Sequence, residues 1–244
     1  MSRVIAITNQ KGGVGKTTTC VNLAASLVAT KRRVLVIDLD PQGNTTMGSG
    51  IEKNSLTYSV LDVLTQKVDI KKVVHQNTPA GYDLLPANGD LTAAEVELIQ
   101  VQQKEARLRI ALSKLEKTYD FILIDCPPSL SMLTVNALAC ADSVLVPMQC
   151  EYYALEGISA LLNTVKLIKN SLNPNLVIEG ILRTMYDPRN SLTNDVSHQL
   201  INHFGDLVYR TVIPRNVRLA EAPSHGLPAL MYDKHSRGAV AYLA

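Results

Sequence analysis

The sequence predicts an α/β protein: a mostly parallel, twisted sheet with helices on both faces. Three observations lead there. Apolar runs of strand length alternate with longer helical stretches along the 244 residues, the order that gives parallel strands joined by crossover helices. The runs Val4-Ile5-Ala6-Ile7, Val34-Leu35-Val36-Ile37 and Phe121-Ile122-Leu123-Ile124 are apolar throughout, as strands buried on both faces require. Acidic or glycine-rich stretches follow these runs directly, where open parallel sheets place their ligands.

In chain order, residues 4–7 read as a strand and 17–30 as a helix. Residues 34–37 form a second strand that ends at Asp38. Residues 43–50, rich in Gly, Thr and Ser, read as loop, 59–65 as a short helix and 82–86 as a short strand. Residues 91–117 read as one long helix or two joined ones. Strands follow at 121–124 and 143–148, a helix at 155–171, a strand at 176–185, a helix at 194–204 and a last strand at 207–213. No low-complexity linker, charge run or internal repeat divides the chain, so one domain over residues 1–244 is expected.

Composition narrows the function classes. With 24 Lys and Arg against 22 Asp and Glu the chain is near neutral, so any nucleic-acid surface must be a local patch. Trp is absent and Phe occurs twice, which argues against an aromatic platform for single strands. Cys20, Cys126, Cys140 and Cys150 form no C-x-x-C pair; buried free thiols in a reducing compartment are the simpler reading. Met1-Ser2-Arg3 runs straight into a strand and no apolar run approaches bilayer length, so a cytoplasmic location is expected.

The stretch Lys11-Gly12-Gly13-Val14-Gly15-Lys16-Thr17-Thr18 lies between the first strand and the first helix. It reads as a phosphate cradle. Glycines let backbone N–H groups turn toward a polyphosphate, and the helix N-terminus adds partial positive charge. Lys16 supplies a full charge, and the Thr17 hydroxyl is placed to ligate Mg²⁺. A plain strand–helix turn needs neither two lysines nor the Thr17-Thr18 pair. Next comes Asp38-Leu39-Asp40-Pro41-Gln42. Alternate residues of an extended segment share a face, so both carboxylates are expected at one site. Asp40 would orient an attacking water and Asp38 would sit near the metal and the loop lysines; the simpler alternative is a strand end and helix cap. Asp125, after four apolar residues, would hold Mg²⁺ through water. The turn Cys126-Pro127-Pro128-Ser129 could sense a γ-phosphate.

The common pattern G-x-x-x-x-G-K-[ST] would open with glycine where this chain has Gln10. The loop opens with Lys11 instead and resembles the deviant P-loop of the ParA/MinD family of ATPases, in which a signature lysine begins the motif. Further matches are residues 38–44, 125–129, 149–157 and 212–224, the last two looking like the ParA/Soj branch. The resemblance implies a slow, partner-stimulated ATPase that takes ATP and Mg²⁺. Lys11, Lys16 and Asp40 would be catalytic. Lys11, Gly12, Gly13, Val14, Gly15, Lys16, Thr17, Thr18 and Asp38 would bind nucleotide, with Thr17 and Asp125 on the metal. Met185, Pro214 and Asn216 would form the adenine pocket, a core or turn role for the first two remaining open. Lys11 would reach the nucleotide of a second subunit, giving an ATP-dependent homodimer.

The same resemblance implies that this dimer binds double-stranded DNA without sequence preference, associates with the nucleoid, answers to a ParB/Spo0J-type partner and partitions chromosomes or plasmids. Arg189 and Arg218 look similar to positions the Soj branch uses for DNA. Between residues 183 and 237 seven basic residues (Arg183, Arg189, Arg210, Arg215, Arg218, Lys234, Arg237) face five acidic ones (Asp187, Asp195, Asp206, Glu221, Asp233), and scattered solvated charges remain the alternative. The family continues with a terminal helix where this chain stops at Ala244. With no helix-turn-helix extension and no terminal amphipathic helix, neither operator repression nor membrane binding is expected. Competing readings are an ATP-dependent ligase or synthetase on the same fold, a membrane-cycling division regulator, and an iron–sulfur reductase relative, which would need paired cysteines.

Overall fold

Every strand lies parallel to its neighbours. The computed structural model describes residues 2–116 and 119–244. Among these, β1 (Arg3–Ile7), β2 (Val34–Asp38), β3 (Asp83–Leu85), β4 (Phe121–Asp125), β5 (Ser143–Gln149), β6 (Val177–Tyr186) and β7 (Val208–Pro214) form one sheet in the order β3-β2-β4-β1-β5-β6-β7. The chain winds outward from β1 to one edge, returns to β4, then winds to the other. The direction reverses beside β1, and a crevice opens there beyond the carboxyl ends of the strands.

The continuous apolar runs divide by parity between the two faces of the sheet. Ala6, Leu35, Ile37, Ile122 and Ile124 point into one buried cluster, and Ile5, Ile7, Val34, Val36 and Leu123 into the other. Helix Lys16–Ala29 covers the second face with Cys20, Ala24 and Ala25, small residues that let it lie close to the strands. Helix Ala154–Ser171 covers the first with Ile158, Leu161, Val165 and Ile168, a 3.6-residue stripe. Truncating a fully buried strand residue such as Ile37 to Ala costs about 2–5 kcal/mol.

Several expectations need correction. Residues 43–50 are not all loop: Gly43, in the left-handed region at φ 61°, starts a helix over Asn44–Gly48. Composition favoured a loop, but Thr45 and Thr46 are bonded to buried carboxylates that hold the turn helical. The helical span at 91–117 is broken into α-helices Ala94–Glu97 and Arg107–Leu112 with 3₁₀ turns between them; Lys117 lies outside the described residues. Gln103 at φ 53° interrupts it, and the buried Arg107 turns inward to donate to the carbonyls of Leu64 (3.0 Å) and Gln102 (3.2 Å). No periodic signal in the sequence marks Met132–Cys140, a helix whose buried residues lie on more than one face. The same holds for the short helices Val217–Glu221, Ala229–Tyr232 and Arg237–Leu243 after β7. The helix expected over 194–204 starts at Ser191, because the Asn190 side chain caps it by accepting from the Leu192 N–H at 3.0 Å. All four cysteines are free thiols, three of them buried. No helix among the described residues is long and apolar enough to cross a membrane.

Candidate functional site: a phosphate cradle at the carboxyl edge

The loop after β1 is pinned where it leaves the sheet. The Thr8 N–H donates to the Leu145 carbonyl (3.2 Å), Asn9 Nδ2 donates to the Pro147 carbonyl (2.9 Å), and Asn9 Oδ1 accepts from the Lys11 N–H (3.0 Å). Gly13 and Gly15 adopt φ of 72° and 88°, a conformation that costs a residue with a Cβ about 1–2 kcal/mol. Gly12 is different: its φ is unexceptional and a Cβ there would meet nothing within 4 Å. Lys16, at the first position of its helix, is 7% exposed and donates from Nζ to the Lys11 carbonyl at 3.1 Å. Burial lowers its pKa, and the nearby Asp125 and Asp40 carboxylates push it back up.

Two carboxylates lie under the loop. Asp38 ends β2 and Asp125 ends β4; they are register partners, and both are fully buried. Asp125 Oδ2 accepts from the hydroxyls of Thr17 and Thr45, both at 2.7 Å, while its buried Oδ1 has no hydrogen-bond partner. Asp38 Oδ2 accepts from Thr46 N (2.8 Å) and Thr46 Oγ1 (2.7 Å), and its Oδ1 accepts from the Asp40 N–H (3.1 Å). Burial raises the pKa of both acids, the Asp125 charge raises that of Asp38 further, and the threonine hydrogen bonds offset part of this.

Asp38 and Asp40, expected to face one site, sit differently: Asp40 lines the cavity and Asp38 is fully buried. Asp40 lies on the cavity wall, its Oδ1 accepting from the Gln42 N–H at 2.9 Å. Asp38 is sealed beneath it, flanked by β3 and β4 and covered by the Asn44–Gly48 helix. The strand ends at Asp38, so strand periodicity does not carry across to Asp40. The hydrogen bonds to Asp38 come from Thr46 and Asp40, and the carboxylates that raise the Lys16 pKa are Asp125 and Asp40.

A cavity of about 500 Å³ opens over the loop, within the range of nucleotide-sized sites. Gly12, Gly13, Gly15, Lys16, Thr17 and Thr18 line it, together with Asp40, Pro128, Thr184, Met185, Pro214, Asn216, Leu219 and Tyr242. Predicted phosphate-loop residues and all three predicted base-pocket residues thus share one cavity. Lys11, Val14 and Asp125 do not line it. Val14 is buried, and Asp125 reaches the wall only through Thr17. Lys11 is half-exposed and ion-paired with Glu151 just past β5. Met185 holds φ 48° within β6, an uncommon conformation for a long side chain and a mark of local strain at a site. Asn216 also caps the Val217–Glu221 helix, its Oδ1 accepting from the Arg218 N–H at 3.1 Å.

Sequence reasoning missed Thr45, Thr46, Glu151 and Tyr242. Thr45-Thr46 repeats the Thr17-Thr18 pair just beyond the acidic stretch, and that echo was the available signal. Tyr242 gave none; it shares a buried 3.0 Å hydrogen bond with Thr19, more than two hundred residues distant. The two arginines expected to meet DNA lie after neighbouring strands, Arg189 after β6 and Arg218 after β7. Both are exposed and paired locally: Arg189 holds Asp187 in two bonds (2.9 and 2.8 Å), and Arg218 contacts Glu221 (2.7 Å) and Asp233 (3.4 Å).

Residues 2–178 match the family described as AAA domain. The chain is 54% identical over 243 residues to the sporulation initiation inhibitor protein Soj of Bacillus subtilis, covering 100% of this chain and 96% of that protein. It is 50% identical over 244 residues to the chromosome partitioning protein ParA of Myxococcus xanthus, covering 100% of this chain and 86% of that one. Among solved structures it is similar to one named cobyrinic acid a,c-diamide synthase from Mycobacterium smegmatis, with bound ATP analogue and magnesium. The TM-score there is 0.87 at 39% identity, over 100% of this chain and 92% of the other.

Proposed function

This chain belongs to the ParA/Soj family of partitioning ATPases, and from that premise we propose that it is a cytoplasmic ATP-driven switch. In this reading residues 1–244 act as one domain that binds Mg²⁺·ATP, pairs with a second copy, holds DNA without reading its sequence, and lets go on hydrolysis. The observation that carries it is the Thr17–Asp125 hydrogen bond with the orphaned Asp125 Oδ1 beside it, next to the buried Lys16. A hard cation that keeps part of its water shell fits such a donor set: one hydroxyl, one carboxylate reached through water, and the nucleotide's own oxygens. Magnesium, when bound, would offset charge on the phosphates.

Phosphoryl transfer asks for positioning and charge neutralisation more than covalent help. Lys16 and the loop N–H groups supply these to the β- and γ-phosphates. Asp40, on the cavity wall, orients the attacking water. Asp38 fixes the Asp40 backbone from beneath. Met185, Pro214 and Asn216 receive the base. Lys11, at the loop's outer end, leaves Glu151 and reaches the nucleotide of the partner copy, so that assembly depends on ATP. Arg189 and Arg218, doubled by the two-fold, contact backbone phosphates. A ParB/Spo0J-type partner stimulates turnover, and the dimer accumulates on the nucleoid.

The test is retention of linear duplex DNA with ATP, with ADP and without nucleotide, across a salt series. Retention with ATP alone that weakens steeply with salt supports the switch; binding indifferent to nucleotide or salt overturns it. The synthase name of a solved neighbour favours a second reading, an ATP-dependent synthetase. The partition names belong to relatives of higher identity, which favours the first. Turnover separates the two, because only the switch responds to DNA.

A further inference from the structure

Thr184 belongs to none of the motifs above. It sits on β6, 2% exposed, and its Oγ1 donates to the Val14 carbonyl at 2.7 Å, spanning 170 residues of sequence. The consequence is geometric. In a planar trans peptide the C=O of one residue and the N–H of the next point in opposite directions. Holding the Val14 oxygen toward β6 therefore turns the Gly15 N–H away from β6, toward the hollow of the loop. This peptide is the one that most needs holding. Gly15 at φ 88° and Gly13 at φ 72° flank it closely, and glycine lets an adjacent peptide plane flip with little steric resistance. A flip would present a carbonyl oxygen to an anion in place of an N–H.

The rest of the loop does not supply this restraint. Asn9 anchors its first residues to β5, and Lys16 engages the Lys11 carbonyl. Thr184 also lies directly under Gly15, its Cβ and Cγ2 each 3.8 Å from where a Gly15 Cβ would stand. Thr184 and the next residue, the strained Met185, both line the same cavity. One strand thus holds the loop and lines the site.

We propose that Thr184 is a positioning residue: its hydroxyl locks the Val14–Gly15 peptide in the orientation that receives a polyphosphate. This rests on reading the cavity as a nucleotide site. The test uses the full chain and titrates Mg²⁺·ATP, Mg²⁺·ADP and adenosine by displacement of a fluorescent nucleotide. Thr184→Val keeps the shape and removes the donor; Thr184→Ser keeps the donor. The expected result is about a tenfold loss of ATP and ADP affinity in Thr184→Val, the scale of one hydrogen bond to a charged group. Adenosine affinity is unchanged, and Thr184→Ser binds as the wild type does. If Thr184→Val does not fold, Thr184→Ala replaces it with the same expectation. Unchanged ATP affinity, or equal losses for ATP and adenosine, overturns the proposal. A wild type that binds no Mg²⁺·ATP would instead refute the nucleotide site itself.

Discussion

Replacing Glu151 with Gln should tighten the ATP-dependent dimer. Lys11 and Glu151 form an ion pair within one chain. If Lys11 has to reach a second copy's nucleotide, that pair must break in both protomers as the dimer closes. Its side chains are 44% and 42% exposed, so each pair is worth about 0.2–1 kcal/mol. Two of them oppose closure by about 0.4–2 kcal/mol, a dimer dissociation constant about twofold to thirtyfold lower once both are removed. Sedimentation equilibrium with ATP, in an Asp40→Ala background that suppresses hydrolysis, measures this directly. The gain should shrink at high salt, where exposed pairs are screened. A weaker dimer in Glu151→Gln would refute the reasoning, because Glu151 would then serve the interface and not restrain Lys11.

Other perturbations separate the parts of the site. Gly15→Ala should lower unfolding free energy by about 1–2 kcal/mol in a denaturant melt, since it forces a Cβ into φ 88°, whereas Gly12→Ala should leave the monomer's stability unchanged. Burial raises the pKa of Asp38 and Asp125, so the native state holds protons that the unfolded chain releases above about pH 4. The nucleotide-free protein should therefore lose stability as pH rises from there toward neutrality, and Asp38→Asn should flatten that slope in thermal melts. Freeing the two arginines with Asp187→Asn, Glu221→Gln and Asp233→Asn should strengthen DNA retention at low salt. It should also steepen the log K against log salt slope by about 0.9 for each phosphate gained.

How much of this was legible in the sequence depended on whether a signal was local. Continuous apolar runs identified the buried strands because a strand covered on both faces has no polar residues to spare. The phosphate loop was legible because its glycines, lysines and threonines must be adjacent to do their work. The burial of Asp38 beside a cavity-lining Asp40 was not legible, because two-residue periodicity describes a strand and says nothing once the strand has ended. The Asn44–Gly48 helix was hidden because its stability comes from Thr45 and Thr46 bonding carboxylates on β4 and β2, contacts no local pattern records. Lys11 was recognised, but the Glu151 that holds it lies 140 residues away. Tyr242 meets Thr19 only because the chain folds its last helix back onto its first.

The whole account turns on ATP joining two copies through Lys11. Size-exclusion chromatography of Asp40→Ala with ATP, alone and combined with Lys11→Ala, tests that most directly. The prediction is a dimer for Asp40→Ala and a monomer for the double variant. A double variant that still elutes as a dimer would contradict it.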